Sequence, residues 1–395
     1  MSRLNVGNLF NENEDGAPVV SGISTFSSPN YFVPPSGSTA ERPQNPGEGM
    51  IRFNTDSGHL EYYSGELWVD VIVNNQDLGG ATSGFSTTAS TQGTGTRGIL
   101  FGGYNPSPLS AVHDVIQYIT IETLGNAQDF GDLATTAAQP GGVASRTRGL
   151  RCGGGAAPSN TANNTIEFIT ISSTGNSQNF GDLVEKIRDT GSVGNQTRGI
   201  LAGGQDEPNA EVNVIQYLTI ASSGNSVDFG DLSNTRQRSC RTQVNSAIRG
   251  IFAGGYDGPA TVFNTIEYVT ISTTGNAQDF GDLTSSARSR FSGGCNSTRG
   301  IFGGGRTPTR VNTIDFITIA TLGNTQDFGD TSVFRDSSNG GSSPNRVIFA
   351  GGYTPTTSNS IEFITIAQTG NAVDFGDMTI LNSAGGGISN GHGGP

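Results

Sequence analysis

The sequence predicts an all-β chain: a six-bladed β-propeller preceded by a small strand-rich N-terminal segment. Three observations predict it. The 395 residues include 59 glycines and only 14% charged residues, with Ser, Thr and Asn as most of the filler. That mixture lacks the Ala, Leu and Lys that long helices need. One stretch of roughly 50 residues recurs six times from Arg97 onward. Within each copy, β-branched and aromatic residues are bounded by Gly-Gly and Gly-Asn pairs, the marks of strands and tight reversals.

The copies start at Arg97, Arg148, Arg198, Arg249, Arg299 and, more loosely, Arg346, at spacings of 51, 50, 51, 50 and 47. Each opens on a short apolar run ending in glycines, as in Arg97-Gly98-Ile99-Leu100-Phe101-Gly102-Gly103. About a dozen residues later comes a second apolar segment, Val115 to Ile121 in the first copy. Its counterparts are Thr165 to Ile171, Val214 to Ile220, Thr265 to Ile271, Thr313 to Ile319 and Ser360 to Ile366. Both faces of this segment are apolar, Ile116 and Tyr118 on one and Ile119 and Ile121 on the other, so both faces must be covered. A Gly-Asn pair follows (Gly125-Asn126 in the first copy), and Phe-Gly-Asp closes each copy, led by Phe130, Phe180, Phe229, Phe280, Phe328 and Phe375. The variable stretch before each arginine, such as Ser289 to Asn296, supplies a further strand. Each copy is thus a small antiparallel sheet that cannot bury its faces alone, whereas six arranged radially can. Either Gln76 to Ser90 or Met378 to Asn390 could complete a blade.

The Gly-Gly strand end, aromatic third strand and period near 50 resemble the kelch repeat, with Phe where that repeat usually has Trp. Residues 1–75 carry no copy, leaving 76–395 to the propeller. They run through Pro29, Pro34, Pro35, Pro43 and Pro46 into Gly49-Met50-Ile51-Arg52-Phe53-Asn54-Thr55-Asp56, then Leu60-Glu61-Tyr62-Tyr63 and Trp68. This is a hairpin pattern with a closing tryptophan. It resembles a segment of tail-fibre and other virion proteins of tailed bacteriophages, particularly those of cyanobacteria. The Gly-Asn to Asp-Phe-Gly-Asp repeats are similar to repeats of the same phages.

The resemblance implies a structural virion protein, a tail or surface fibre made in the host cytoplasm and carried on the particle. Its N-terminal segment would dock onto other virion proteins, with Leu4, Val6, Leu9, Phe10 and Phe32 as the candidate apolar contacts. Its propeller would recognise a host-surface glycan or protein. Phage fibres are often trimers, so a homotrimer is the assembly implied. The alternatives are a capsid or tail decoration protein without receptor binding, a propeller glycan hydrolase or lyase, and an intracellular interaction scaffold.

Chemistry is sparse. The net charge of −13 and absence of a basic stripe argue against nucleic acid. No apolar run reaches the roughly 18 residues of a membrane span, and no apolar leader follows Met1. Cys152, Cys240 and Cys295 read as buried thiols. Asp-Phe-Gly occurs five times, once per copy bar one, without a nucleotide loop, so it is not a kinase motif. The paired acids Asp129/Asp132, Asp228/Asp231, Asp279/Asp282, Asp327/Asp330 and Asp374/Asp377 are too sparse for a dedicated calcium loop. They are expected to cap turns or to meet the once-per-copy arginine. Single-copy acids (Asp114, Glu185, Asp189, Glu207, Glu211 and Asp257) are the only material for a glycosidase pair. With His59, His113 and His392 alone, neither a catalytic triad nor a copper site is expected. No catalytic residue, metal or cofactor is assigned. What differs between copies is the loop after each Gly pair, and that pattern marks a binding face. The candidate ligand contacts are Tyr104, Asn105, Asp206, Glu207, Tyr256, Asp257, Arg306, Arg310 and Tyr353, with tyrosine and arginine as loop-tip anchors.

Overall fold

A computed structural model describes residues 34–56, 59–71, 96–105, 111–157, 159–258 and 261–395. The chain divides into two compact units, Met1–Thr87 and Thr88–Pro395. It is all-β: the described residues contain antiparallel sheets, none closed on itself, and one turn of 3-10 helix, Thr39–Glu41. Leu4, Val6, Leu9, Phe10 and Phe32, and the segment Gln76 to Ser90, lie outside the described residues.

In the first unit, Ile51–Asn54, His59–Tyr63 and Trp68–Val71 form an antiparallel meander, and Ser36–Gly37 adds in parallel to its edge. Alternation along Ile51–Asn54 buries Arg52 and Asn54 and exposes Ile51 and Phe53. Glu61 is fully buried opposite Arg52, where it accepts from Arg42 Nε at 3.2 Å and Asn54 Nδ2 at 3.1 Å. Both arginines reach the Trp68 ring, their guanidinium carbons 5.9 and 6.0 Å from its centre. The covered face is therefore the charged one. Ile51, Phe53 and Tyr62, which is paired with Ile51, remain exposed on the other.

Among its described residues the second unit holds six sheets of three to five strands, one per repeat, and three short two-stranded ribbons. Sheet two is typical: Gly141–Ala144, Arg148–Cys152, Thr161–Thr170 and Gln178–Ile187, each antiparallel to the next. Sheet one takes its first strand from the far end of the sequence, Gly386–Ser389, laid against Gly98–Phe101. Sheet four has only a bridge, Asn245 to Gly250, where the others have a first strand. The register repeats: Arg97 faces Thr120, Arg148 faces Thr170, Arg249 faces Thr270 and Arg346 faces Thr365. A bulge recurs where the third strand meets Phe-Gly-Asp, as between Ile266 and Glu267.

The Phe-Gly-Asp glycines sit at those bulges because the next sheet comes too close for a side chain. A Cβ on Gly281, at φ +144°, would lie 2.5 Å from the Gly323 carbonyl oxygen. Around that contact each sheet makes the same joint with the next. Gly175 N donates to Phe130 O at 2.7 Å, Ser177 N to Asp132 O at 2.9 Å, and Asp132 N to Asn176 Oδ1 at 3.0 Å. The sixth sheet makes this joint with the first: Gly125 N to Phe375 O, Ala127 N to Asp377 O and Asp377 N to Asn126 Oδ1. Six core clusters lie between successive sheets in the same order. One joins Leu100, Ile119 and Ile121 of sheet one to Ile348, Ile361 and Phe375 of sheet six. Edge-on ring pairs fill each cluster, Tyr118 on Phe130 at 6.1 Å being the first.

Candidate functional site

The features repeated six times are structural. Each repeat-opening arginine lies over the aromatic ring of its own third strand, Arg249 over Tyr268 at 4.7 Å, and reaches into the next sheet. There Arg249 Nη1 donates to Ile319 O at 3.0 Å and Ala320 O at 2.9 Å. Arg346 closes the series by donating to Ile121 O at 3.0 Å. The expected pairing of these arginines with the Asp-Phe-Gly-Asp acids is therefore incorrect. A backbone carbonyl accepts the guanidinium, and the second aspartate of each motif contributes its backbone N–H instead.

Ion pairs between arginine and acid do occur, but with other members. The third strands bury one polar residue each: Gln117, Glu167, Gln216, Glu267, Asp315 and Glu362. Glu267, Asp315 and Glu362 each receive an arginine from the linker before their sheet, Arg236 at 2.5 Å, Arg288 at 2.5 Å and Arg335 at 2.6 Å. Glu167 is reached by Arg151 of its own sheet at 3.5 Å. Where no arginine arrives, the residue is glutamine, which accepts from backbone N–H groups: Thr379 N to Gln117 and Val184 N to Gln216. Burying an ionised acid requires a charged partner, whereas a buried amide needs only hydrogen bonds.

The six linkers also carry the feature that breaks the symmetry. Gln139, Asp189, Arg238, Arg290, Ser337 and Ala384 sit at equivalent places, two residues before the first strands of the regular sheets, all with φ between 56° and 60°. Their backbones bond in a closed cycle. Gln139 N donates to Ala384 O, Asp189 N to Gln139 O, Arg238 N to Asp189 O, Arg290 N to Arg238 O, Ser337 N to Arg290 O and Ala384 N to Ser337 O, at 2.7–2.9 Å. Left-handed backbone without glycine costs roughly 1–2 kcal/mol per residue, so the cycle is held against strain. Its backbone repeats while its side chains do not.

A cavity of about 430 Å³ opens over this cycle, lined by Gln139, Arg238, Arg241, Arg290, Arg310 and Asp336, with Tyr104 and Tyr353 among its walls. Asp189 lies buried behind it, bonded to Arg238 Nε at 3.1 Å and, more closely, to Arg241 Nη2. Arg310 pairs with Asp336 at 3.0 Å and lies over the Tyr353 ring at 4.4 Å. Arg238 lies 5.4 Å from the Tyr256 ring centre. Arg290 has no carboxylate partner among the described residues. Burial and the neighbouring Arg238 and Arg241 push its pKa down to about 10.

At the other end of the first strands the sequence's last residues fill the space. His392 is buried, its Nε2 2.9 Å from Ala144 O and its Nδ1 3.2 Å from both Asn245 Nδ2 and Gly394 N. Those partners assign the neutral tautomer with the proton on Nε2, and desolvation lowers the pKa to about 4. Gly393 N donates to the Cys295 sulfur at 3.3 Å. All three cysteines are buried free thiols, pushed up to about 12 (Cys152) and about 11 (Cys240 and Cys295) by burial.

Of the residues singled out from sequence, Tyr104, Arg310 and Tyr353 line the cavity, and Tyr256 touches it through Arg238. These tyrosines are not loop tips. Tyr104, Tyr256 and Tyr353 bridge to Ser383, Gln237 and Asp336 of the linkers, at the loop bases. The remaining candidates are engaged locally. Asp206 accepts from Ala210 N at 2.7 Å, Asp257 from Thr235 Oγ1 at 2.9 Å, and Arg306 donates to Pro308 O at 2.7 Å. Glu207 is exposed, and Asn105 sits in a two-residue strand facing Ala111. Gln139, Arg238, Arg241, Arg290 and Asp336 were not singled out, and Asp189 only as a scattered acid. A signal for them existed: Arg236, Arg238, Arg241, Arg288 and Arg290 concentrate the chain's scarce cations in two linkers. Among the described residues, no cluster of three or more His, Cys, Asp or Glu could hold a metal. No protein-family model matches the chain, and no curated protein matches its sequence.

Proposed function

We propose that the six sheets are the blades of a kelch-like β-propeller in a virion protein of a tailed phage, a tail or surface fibre. Its N-terminal unit docks onto other virion proteins, and its propeller recognises a glycan or protein on the host surface. The propeller reading is supported by the identical joints that run from sheet one to sheet six and back to sheet one. Docking is supported by the exposed Ile51, Phe53 and Tyr62 face of the N-terminal meander, an apolar patch of the kind that marks contact surfaces. The observation that carries recognition is the cavity: a six-fold backbone cycle that bears five different kinds of side chain in its six places. Symmetry suffices for packing, whereas a ligand needs a particular set of groups at one place.

Binding rather than cleavage is the preferred chemistry. Glycan hydrolysis needs two carboxyl groups facing across the sugar. Among the described residues Asp336 is the only carboxylate lining the cavity, and Arg310 holds it. The test is immunogold labelling of assembled particles, together with binding of the purified full chain to host envelopes. Labelled particles and envelope binding support the reading. Labelled particles without envelope binding make the chain a decoration protein, and unlabelled particles remove it from the virion altogether.

A further inference from the structure

We propose that the cavity over the linker cycle is a binding site for an acidic saccharide, with its anionic group held by Arg241 and Arg290 and its ring placed between Tyr104 and Tyr353. The inference rests on the recognition reading above and names the ligand class.

Four arginines, Arg238, Arg241, Arg290 and Arg310, meet two aspartates, Asp189 and Asp336, leaving two positive charges uncompensated in a chain of net charge −13. An acidic protein that gathers cations in one hollow creates a local field for anions, and low-dielectric walls strengthen it. The second observation is independent of that count. Arg241 is only 2% exposed, and its Nε and Nη1 atoms have no hydrogen-bond partner among the described residues. A guanidinium buried with open donors is costly unless something accepts from it, and a planar oxyanion such as a carboxylate matches its fork. Arg290 lines the same wall with no ion-pair partner among the described residues.

The size and walls point to a sugar, not a bare ion. About 430 Å³ lies within the range of small-molecule sites and far exceeds one oxyanion. Tyr104 and Tyr353 supply flat faces, and Gln139, Ser337 and Ser383 supply hydroxyl and amide groups. A neighbouring hollow of about 320 Å³, lined by Ser159 and Asn160, shares Tyr104, Gln139 and Ala384 with the first. That second space accommodates the next unit of a chain.

The experiment is calorimetric titration of the purified full chain with glucuronate, glucose 6-phosphate and glucose 6-sulfate, against glucose, inorganic phosphate and sulfate. Binding of at least one acidic sugar, weakened by salt and absent for glucose, is expected. Arg290→Gln removes no ion pair, so it should fold. It should weaken that sugar by about tenfold or more, and Tyr353→Ala should weaken it while sparing inorganic ions. The tightest of the three sugars identifies the anionic group. Inorganic ions binding as tightly as every sugar would overturn the saccharide assignment. Absence of binding to any acidic sugar, or an Arg290→Gln variant that binds unchanged, would overturn the site. If envelopes bind the chain and acidic sugars fail to compete, this inference fails while host recognition stands.

Discussion

Replacing Arg236 by isoleucine should strand a buried carboxylate, and repairing that carboxylate should restore the fold. Arg236 and Glu267 are 0% and 4% exposed at their side chains and meet at 2.5 Å. Arg236 also donates to Gly254 O at 3.1 Å and lies over Phe263 at 5.0 Å. Breaking a buried pair from one side costs about 3–5 kcal/mol, because the remaining charge is uncompensated. For Arg236→Ile this is a fall in melting temperature on the order of 10 °C. The molecule itself supplies the repair. Sheet three carries Ile187 and Gln216 at the places held by Arg236 and Glu267, and Gln216 accepts from Val184 N at 3.0 Å just as Glu267 accepts from Ser233 N at 3.0 Å. Arg236→Ile with Glu267→Gln should therefore regain most of the loss. Denaturant titration of the full chain, followed by tryptophan-independent far-ultraviolet dichroism, reads both variants. A double variant no more stable than Arg236→Ile would refute the claim that stranded charge, and not lost packing, dominates.

Three further outcomes follow from the joints and the filled end. Arg249→Met loses two carbonyl contacts and the stack on Tyr268 and should cost about 1–3 kcal/mol; an unchanged denaturation midpoint would take the arginine out of the joint. Gly281→Ala should cost more than Gly275→Ala. Both have positive φ, at 144° and 153°, but only a Cβ on the former would strike another sheet, at 2.5 Å, and equal melting temperatures would show that the joint yields. His392 is neutral in the fold with a pKa near 4 against 6.5 for the free residue. Protonation therefore favours the open state. The histidine's contribution is whole above about pH 6.5 and is lost as pH falls toward 4, roughly 3 kcal/mol in all. Thermal melts from pH 7 to 4 should show a steeper decline for the native chain than for His392→Asn; parallel curves would place the histidine in water.

The sheet order was legible because strand patterning is local. Gly-Gly ends, the Ile-Glu-Phe-Ile run and Gly-Asn reversals state where strands start and turn, and six copies state it redundantly. Contacts between sheets were not legible, because half of each is backbone. Nothing in the sequence marks Ile319 O as the acceptor for Arg249, and the acids of Asp-Phe-Gly-Asp offered a more visible but wrong partner. The first strand of sheet one was ambiguous for a similar reason, since Gly-Gly-Ile-Ser is too short to distinguish from other glycine-rich linker. Pairing with Gly98–Phe101 settles it for Gly386–Ser389.

The candidate site was hidden by the same redundancy that revealed the fold. Repeats stand out by what recurs, and the linkers recur least: Gln139, Asp189, Arg238, Arg290, Ser337 and Ala384 share a backbone conformation, and only the two arginines share a side chain. Glycine would adopt that conformation more cheaply, yet none of the six is glycine. In the four that carry functional groups toward the cavity or its ion pairs, strain is offset by placing a side chain where the scaffold converges. Ala384 and Ser337 gain least from that exchange, so the asymmetry of the cavity has a direction, with cations at Arg238 and Arg290 and the uncharged Ala384 and Gln139 three steps away around the cycle. A ligand lying across the cycle would put its charge on the first side and its bulk over the second.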